Sequence, residues 1–429
     1  MTSSSIFLIP VASPLHVERV MNRVVRAREL LEAEGFKVFG PTKPICFPKD
    51  IPDFKVEDYD LVVVFVASGG TSSLVAEIAS DRKLFLWAYH ENNSLPSALA
   101  AREKLEARDA WKSTIAYSKL TEVPKEILAE ASSTLALKAL REIRLAALVD
   151  EENEEKMEKF RSEAKELLKT FGLQTVFVSF QRLDDTLERV QPGEAEKILN
   201  EKVVSFELLD VSQDELFNPI RLYVALRRIL LEVECKALTI DCFDFIVKKG
   251  FTPCLAISLL NDEGFPVVCE ADLSTAPLLI ALTEVSKKPV WMANLARIDE
   301  GRNRVTLAHC TAPTSLMDPL GVVRARSHFE SDSAVSLDVP LSKGEVTLAH
   351  LKLKPPRLTI ALGEIVNSQM GYWKLCRSQA EVKLKGSVRS LFNLSGNHQI
   401  VCYGDYSEML LRLGEKLGVE TVCVGLEAR

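Results

Sequence analysis

The chain has 429 residues, more than one hydrophobic core usually organises, so two or three domains are expected. Hydrophobic residues at 47% and charged residues at 26% match an ordinary folded protein, which excludes disorder and collagen-like repeats. Net charge is −7, and no run of Lys/Arg interleaves with aromatics, so neither nucleic acid nor an anionic membrane is an expected partner.

The first third alternates strand and helix signals. Residues 6–11 form a short apolar run, followed by a helical pattern of Val17, Val20, Met21, Val24 and Leu31 that ends at Gly35. Residues 61–67 are a continuous apolar run rich in β-branched Val, as a strand covered on both faces requires. Gly69-Gly70-Thr71 opens another helix, residues 83–89 are strand-like, and residues 94–107 are helical. This alternation predicts a parallel sheet with helices on both faces over residues 1–142.

A second doubly wound unit is expected over residues 143–303. Its strands are read at 144–149, 175–180, 237–243, 267–269 and 290–293, and its helices at 151–170, 219–234, 252–262 and 276–286. The acidic start and Lys-rich end of the 151–170 helix suit the helix dipole. From Arg304 to residue 429 short segments at 305–309, 322–329, 346–353, 358–362 and 400–403 dominate, punctuated by Gly301, Gly321, Gly344 and Pro355-Pro356. They predict a C-terminal antiparallel β-barrel-like domain, closed by a terminal helix at 406–417 and a strand at 421–424. The expected class is α/β: two doubly wound parallel-sheet domains and then this β-rich domain.

The longest apolar run, residues 61–67, is far short of the roughly 20 residues a membrane helix needs. MTSSSIFLIP lacks the charged n-region and long apolar stretch of a signal peptide. A cytoplasmic protein is expected. The nine cysteines are scattered and include no C-x-x-C pair, which excludes a zinc ribbon or thioredoxin-like motif and predicts small buried thiols.

Chemistry concentrates on a few positions. Glu270 and Asn294 each follow an expected strand, PVVC and PVWMA, with one helix between them. A right-handed crossover puts such strand ends on one edge of a parallel sheet, where ligands bind. The other reading makes Glu270, with Asp272, a helix N-terminal acid ahead of Ser274-Thr275. Among the six histidines, His309 and His350 sit in strand patterns, and His398 sits in a Gly396-Asn397-His398 turn, where a plain surface histidine is the usual outcome.

The stretch from Pro253 to Pro313, which contains EGFPVVCEADLSTAPLLIALTEVSKKPVWMANL, resembles the core of the L-fucose/L-arabinose isomerase family. Further pieces match in order: the GGT turn, NNSLPSALAAR from Asn92, KGEVTLAHL from Lys343, and GNHQIVCYGDYSEML from Gly396. The resemblance covers essentially the whole chain. It implies aldose–ketose interconversion of a sugar through an ene-diol with a divalent cation, usually Mn²⁺, and ligands at Glu270, Asn294 and His398. Where the family carries a second carboxylate this chain has Asn294, and where it carries His-His this chain has Asn397-His398. His309-Cys310-Thr311 stands where the family has His-Cys-Gly. The resemblance further implies a homo-oligomer, trimer or hexamer, in which Gly69, Gly70, Thr71, Asn93 and Ser94 of a neighbouring copy, together with His309, contact the sugar. A turn followed by a helix cap is the alternative reading of those first five residues.

Such chemistry needs a base at the carbon acid and a Lewis acid at the developing enediolate oxygens. Glu270 and Asn294 are the expected catalytic positions. Asn keeps an oxygen ligand but removes a charge and a proton carrier, a loss that typically costs about 10²- to 10⁴-fold in rate. The alternative function is therefore a silent or altered homologue that binds a sugar or sugar phosphate.

Overall fold

A computed structural model describes residues 4–425. The chain divides into two compact units, the first ending at Thr134 and the second beginning at Leu135.

The first unit is built on a five-stranded parallel sheet. Across the sheet the strands run Lys37–Phe39, Ser5–Val11, Leu61–Val66, Phe85–Tyr89 and Thr114–Ser118. Every residue of Leu61–Val66 is buried, because apolar clusters cover the sheet on both faces. This is the doubly wound order whose switch point lies between the strands Ser5–Val11 and Leu61–Val66. Their carboxyl ends lead to Ser13 and to the Ser68–Thr71 turn, joined where the Ser13 N–H donates to Ser68 Oγ at 2.9 Å. The strand Thr114–Ser118 and the helix Lys125–Glu142 were outside the sequence reading. TIAYS is too short and too mixed in polarity to give a clear period.

In the second unit a four-stranded parallel sheet runs Val267–Val268, Ala237–Ile240, Arg144–Val149, Gln174–Ser179. The expected fifth strand at 290–293 does not join it. It is the start of Trp291–Asp299, which pairs antiparallel with His398–Tyr403 on one side and Arg304–His309 on the other. Lys287, in a left-handed conformation after the helix Ala276–Ser286, turns the chain away from the parallel sheet. A wholly apolar stretch such as VWMA suits a strand in either setting, so pattern alone could not separate them.

Six antiparallel strands then close on themselves: Gly344–Leu353, His398–Tyr403, Trp291–Asp299, Arg304–His309, Ser378–Leu384 and Pro356–Ser368, the last returning to Gly344–Leu353. Closure removes the unpaired edges an open sheet exposes. Glu420–Val424 adds a parallel strand outside the barrel, on Pro356–Ser368. Of the segment expected at 322–329, Arg324–Ser327 is a strand but not a barrel strand. It pairs with Ala334–Asp338 and Glu207–Leu208 in a separate three-stranded sheet. The parallel sheet and the barrel share one apolar core.

Among the described residues, no helix is long and apolar enough to cross a membrane.

Candidate functional site

The barrel aligns three histidine and amide positions. Asn294 lies directly opposite His398 on one neighbouring strand and opposite Ala308 on the other, so His309 follows one position beyond. A bond from the Leu295 N–H to the Asn397 carbonyl, at 2.9 Å, extends that pairing into the turn. From the other layer comes Glu270, two residues past the strand Val267–Val268. Glu270 and Ala271 both hold positive φ, at 61° and 47°, a conformation unfavourable for residues other than glycine. The Ala271 N–H donates to the Ile240 carbonyl at 2.9 Å and fixes this turn to the next parallel strand.

The result is a carboxylate between two imidazoles. Glu270 Oε1 lies 3.4 Å from His309 Nε2, and Oε2 lies 3.3 Å from His398 Nε2. Ligand atoms of Glu270, His309 and His398 all lie within 4.8 Å of one another, close enough for one ion to touch all three. Asn294 lines the same cavity, of about 160 Å³, as Glu270 and His309. Buried Asn294 Oδ1 lacks a hydrogen-bond partner, and buried His309 Nε2 and His398 Nε2 face only the Glu270 carboxylate, beyond a well-formed hydrogen bond. Buried polar atoms in folded proteins are normally satisfied, so an orphaned amide oxygen beside two imidazoles that only loosely meet one carboxylate marks a place built for a polar ligand. One carboxylate and two imidazoles form a donor set of the kind that holds divalent transition-metal ions.

Both histidines are held from behind. Asp272 Oδ2 accepts from His398 Nδ1 at 2.6 Å, which leaves Nε2 aimed at Glu270. The carboxylate of Asp272 is itself fixed by the Ser274 N–H at 3.0 Å and by the Ser274 and Thr275 hydroxyls. His309 Nδ1 shares a 2.8 Å bond with Thr311 Oγ1. Burial would lower His398, but the Asp272 and Glu270 carboxylates outweigh it and push it up to about 9. Burial would likewise raise Glu270, yet His309 and His398 hold its carboxyl well below the usual carboxylate range. Asp272 is also lowered, to about 2, because His398 overcomes the effect of burial.

Glu270, Asn294, His309 and His398, expected from sequence, therefore meet, and His309 stands beside Glu270 as a third donor. The helix begins at Ala276 with no acid in its first turn, so neither Glu270 nor Asp272 is a helix N-terminal acid; Asp272 holds the Ser274-Thr275 turn ahead of it and anchors His398. Nothing in the spacing shows that second role, because the partners are 126 positions apart. Glu330, which lines the cavity from an exposed position, was also missed.

The remaining expected residues lie in the first unit. Gly69 donates its N–H to the Asn92 carbonyl at 2.7 Å, and a Cβ there would sit 2.7 Å from that of Asn93. Gly70 has φ +76°. Thr71 Oγ1 bonds the Ser68 carbonyl at 2.8 Å and Ser97 Oγ at 2.9 Å. Asn93 is left-handed ahead of the helix Ser94–Glu106, and the buried Ser94 hydroxyl accepts from the Tyr89 N–H at 3.0 Å. These side chains build the turn and the helix start.

No family model matches the chain. It is similar to sulfoquinovose isomerases from Priestia aryabhattai and Priestia megaterium, each 28% identical over 198 residues, 44% of this chain and 44% of the relative. It is also similar to a sulfoquinovose isomerase from a Clostridium species, 23% identical over 269 residues, 59% of each chain. The matched part thus spans about half the length of these curated relatives, and the similarity is to enzymes named as sugar isomerases.

Proposed function

We propose that the chain is an aldose–ketose isomerase that interconverts a sugar through an ene-diol, with a divalent cation, Mn²⁺ first, held by Glu270, His309 and His398 and by Asn294 Oδ1. The observation that carries this reading is the Glu270 carboxylate between two imidazole nitrogens, beside an orphaned amide oxygen, in a chain similar to sugar isomerases. The bound ion supplies Lewis-acid stabilisation of negative charge on the sugar oxygens.

Glu270 is the carboxylate at the ligand cluster and the residue assigned to carry the proton from carbon 2 to carbon 1 along one face of the ene-diol. Asn294 holds a sugar hydroxyl or the ion through Oδ1 but cannot take a proton. Asp272 and Thr311 keep the two imidazoles oriented. Glu330, which is exposed, is the second carboxylate that lines the cavity. A homo-oligomer, trimer or hexamer, completing the sugar site with the Gly69–Thr71 and Asn93-Ser94 segments of a neighbouring copy, belongs to the same proposal. Light scattering at micromolar concentration tests it, and a monomer refutes it.

The functional test is ketose formation from a panel of aldoses, sulfoquinovose included, by metal-stripped protein with and without Mn²⁺. Turnover that requires Mn²⁺ and vanishes in Glu270→Gln is expected. Asn294 in place of a carboxylate favours a second reading, a sugar binder without turnover. Saturable sugar binding with no product across the panel would establish that reading instead.

A further inference from the structure

Five of the nine cysteines converge on the cavity that holds Glu270 and His309. Cys242 and Cys254 open the helices Cys242–Lys249 and Cys254–Asp262, and Cys269 follows the strand Val267–Val268. Cys310 follows the strand Arg304–His309, and Cys376 precedes Ser378–Leu384. All five are free thiols, buried except for half-buried Cys376. A lone buried cysteine behaves as a small hydrophobe. Five of them from five separate elements, on the wall of a polar cavity, present something else: a soft donor surface facing the hard donors Glu270 and Asn294.

Cys310 is the hub of this wall. Its side chain meets those of Cys254, Cys376 and His328, and its Sγ accepts from the Arg377 N–H at 3.5 Å. The barrel explains the contact. His309 pairs with Ser378 across adjacent strands, so the chain leaving one strand and the chain entering the other set Cys310 against Arg377, with Cys376 one position further on and within side-chain reach. His328 is steadied by a 3.1 Å bond between Nδ1 and Ser331 Oγ.

We propose that this wall is a second cation site, for a thiophilic d¹⁰ ion such as Cd²⁺, Hg²⁺ or Cu⁺, with Cys310 and Cys376 as its first two ligands and Cys254 and His328 as the donors next to them. Thiolates select such ions, whereas carboxylate and carbonyl oxygens suit Mn²⁺ and Mg²⁺. Zinc–thiolate bonds are about 2.3 Å, and at bonds of that order one d¹⁰ ion joins two sulfurs up to about 4.6 Å apart. Among the described residues, only Glu270, His309 and His398 have three donors mutually within 4.8 Å. The soft ion therefore enters between two sulfurs. Its ligands include none of Glu270, His309 and His398, so the site stands whether or not the chain is an isomerase. Because Cys310 is bonded to His309 and shares its cavity, a filled thiol wall also obstructs the sugar.

The test is a Cd²⁺ titration of the reduced, metal-stripped full chain, followed by thiolate-to-cadmium charge-transfer absorption and by elemental analysis. One Cd²⁺ per chain with that absorption is expected. Cys310→Ser and Cys376→Ser should each lose the band and weaken binding at least tenfold, while Cys423→Ser, outside the cavity, keeps both. Glu270→Gln should keep the band while losing Mn²⁺, so failure of the isomerase reading and failure of the thiol site are separate results. Cadmium bound without the band, or a band that survives both Cys310→Ser and Cys376→Ser, overturns the proposal. Half-buried Cys376 is the variant least costly to fold, and its result decides the matter if Cys310→Ser does not fold.

Discussion

Replacing Asp272 by Asn isolates what holds His398. The side chain keeps its volume and one oxygen, but the 2.6 Å bond from His398 Nδ1 loses its ionic partner. A hydrogen bond to a charged group contributes about 1.5–3 kcal/mol. At 1.36 kcal/mol per unit, its loss should lower the His398 pKa from about 9 by about 1–2 units. Metal-free Asp272→Asn should be less stable than the parent protein near pH 7 by the same order. Loss of such an outer-shell partner typically weakens a metal about 10- to 100-fold, so Mn²⁺ affinity should fall within that range. An NMR titration of the imidazole signals, chemical denaturation with chelator present, and Mn²⁺ calorimetry read the three quantities. If His398 titrates as in the parent protein and Mn²⁺ binds within twofold, Asp272 only holds the turn ahead of the helix and the orienting role fails.

The pH dependence of the metal-free protein follows from the same residue. Because the folded pKa of His398, about 9, lies above its ordinary value near 6.5, its stabilisation is complete below about pH 6.5 and lost as pH rises through about 9. Thermal unfolding with chelator should therefore show a Tm falling between those limits, by the equivalent of up to about 3 kcal/mol, and a flat profile would refute the His398 pairing. Asn294→Asp adds an anionic oxygen at nearly constant volume and should tighten Mn²⁺ and speed ketose formation on any sugar the parent protein turns over. Calorimetry showing no gain would place Asn294 outside the ligand set. Gly69→Ala sets a Cβ 2.7 Å from that of Asn93 and should cost about 1–3 kcal/mol in thermal unfolding, whereas an unchanged Tm would show that the turn relaxes freely.

Where one element carries its own punctuation, the sequence sufficed. The strand Arg144–Val149 and the helix Ala276–Ser286 fall on their expected bounds, since each is a clean apolar pattern with clear flanks. The closed barrel shows the limit. Its alternation was legible, but VWMA at its start was assigned to the parallel sheet because burial on both sides looks alike in either place. Glu270 and Asn294 do meet, yet through a barrel strand facing a sheet edge and not through a crossover within one sheet. The bond between Asp272 and His398 and the gathering of five cysteines depend on how distant segments dock, which no local period records.

That His398 reaches Asp272 across 126 positions also governs when the cluster can exist. Glu270 and Asp272 leave the ribosome long before His398, and the strand His398–Tyr403 must insert between Trp291–Asp299 and Gly344–Leu353 before the imidazole faces them. Until that insertion the nascent chain exposes two acids and His309 without their partner. A ligand that binds only the finished arrangement stabilises it by RT ln(1 + [L]/Kd), about 2.7 kcal/mol at a hundredfold excess over Kd. An ion at this cluster would thus reward only chains whose barrel has closed, making late assembly and cofactor capture one event.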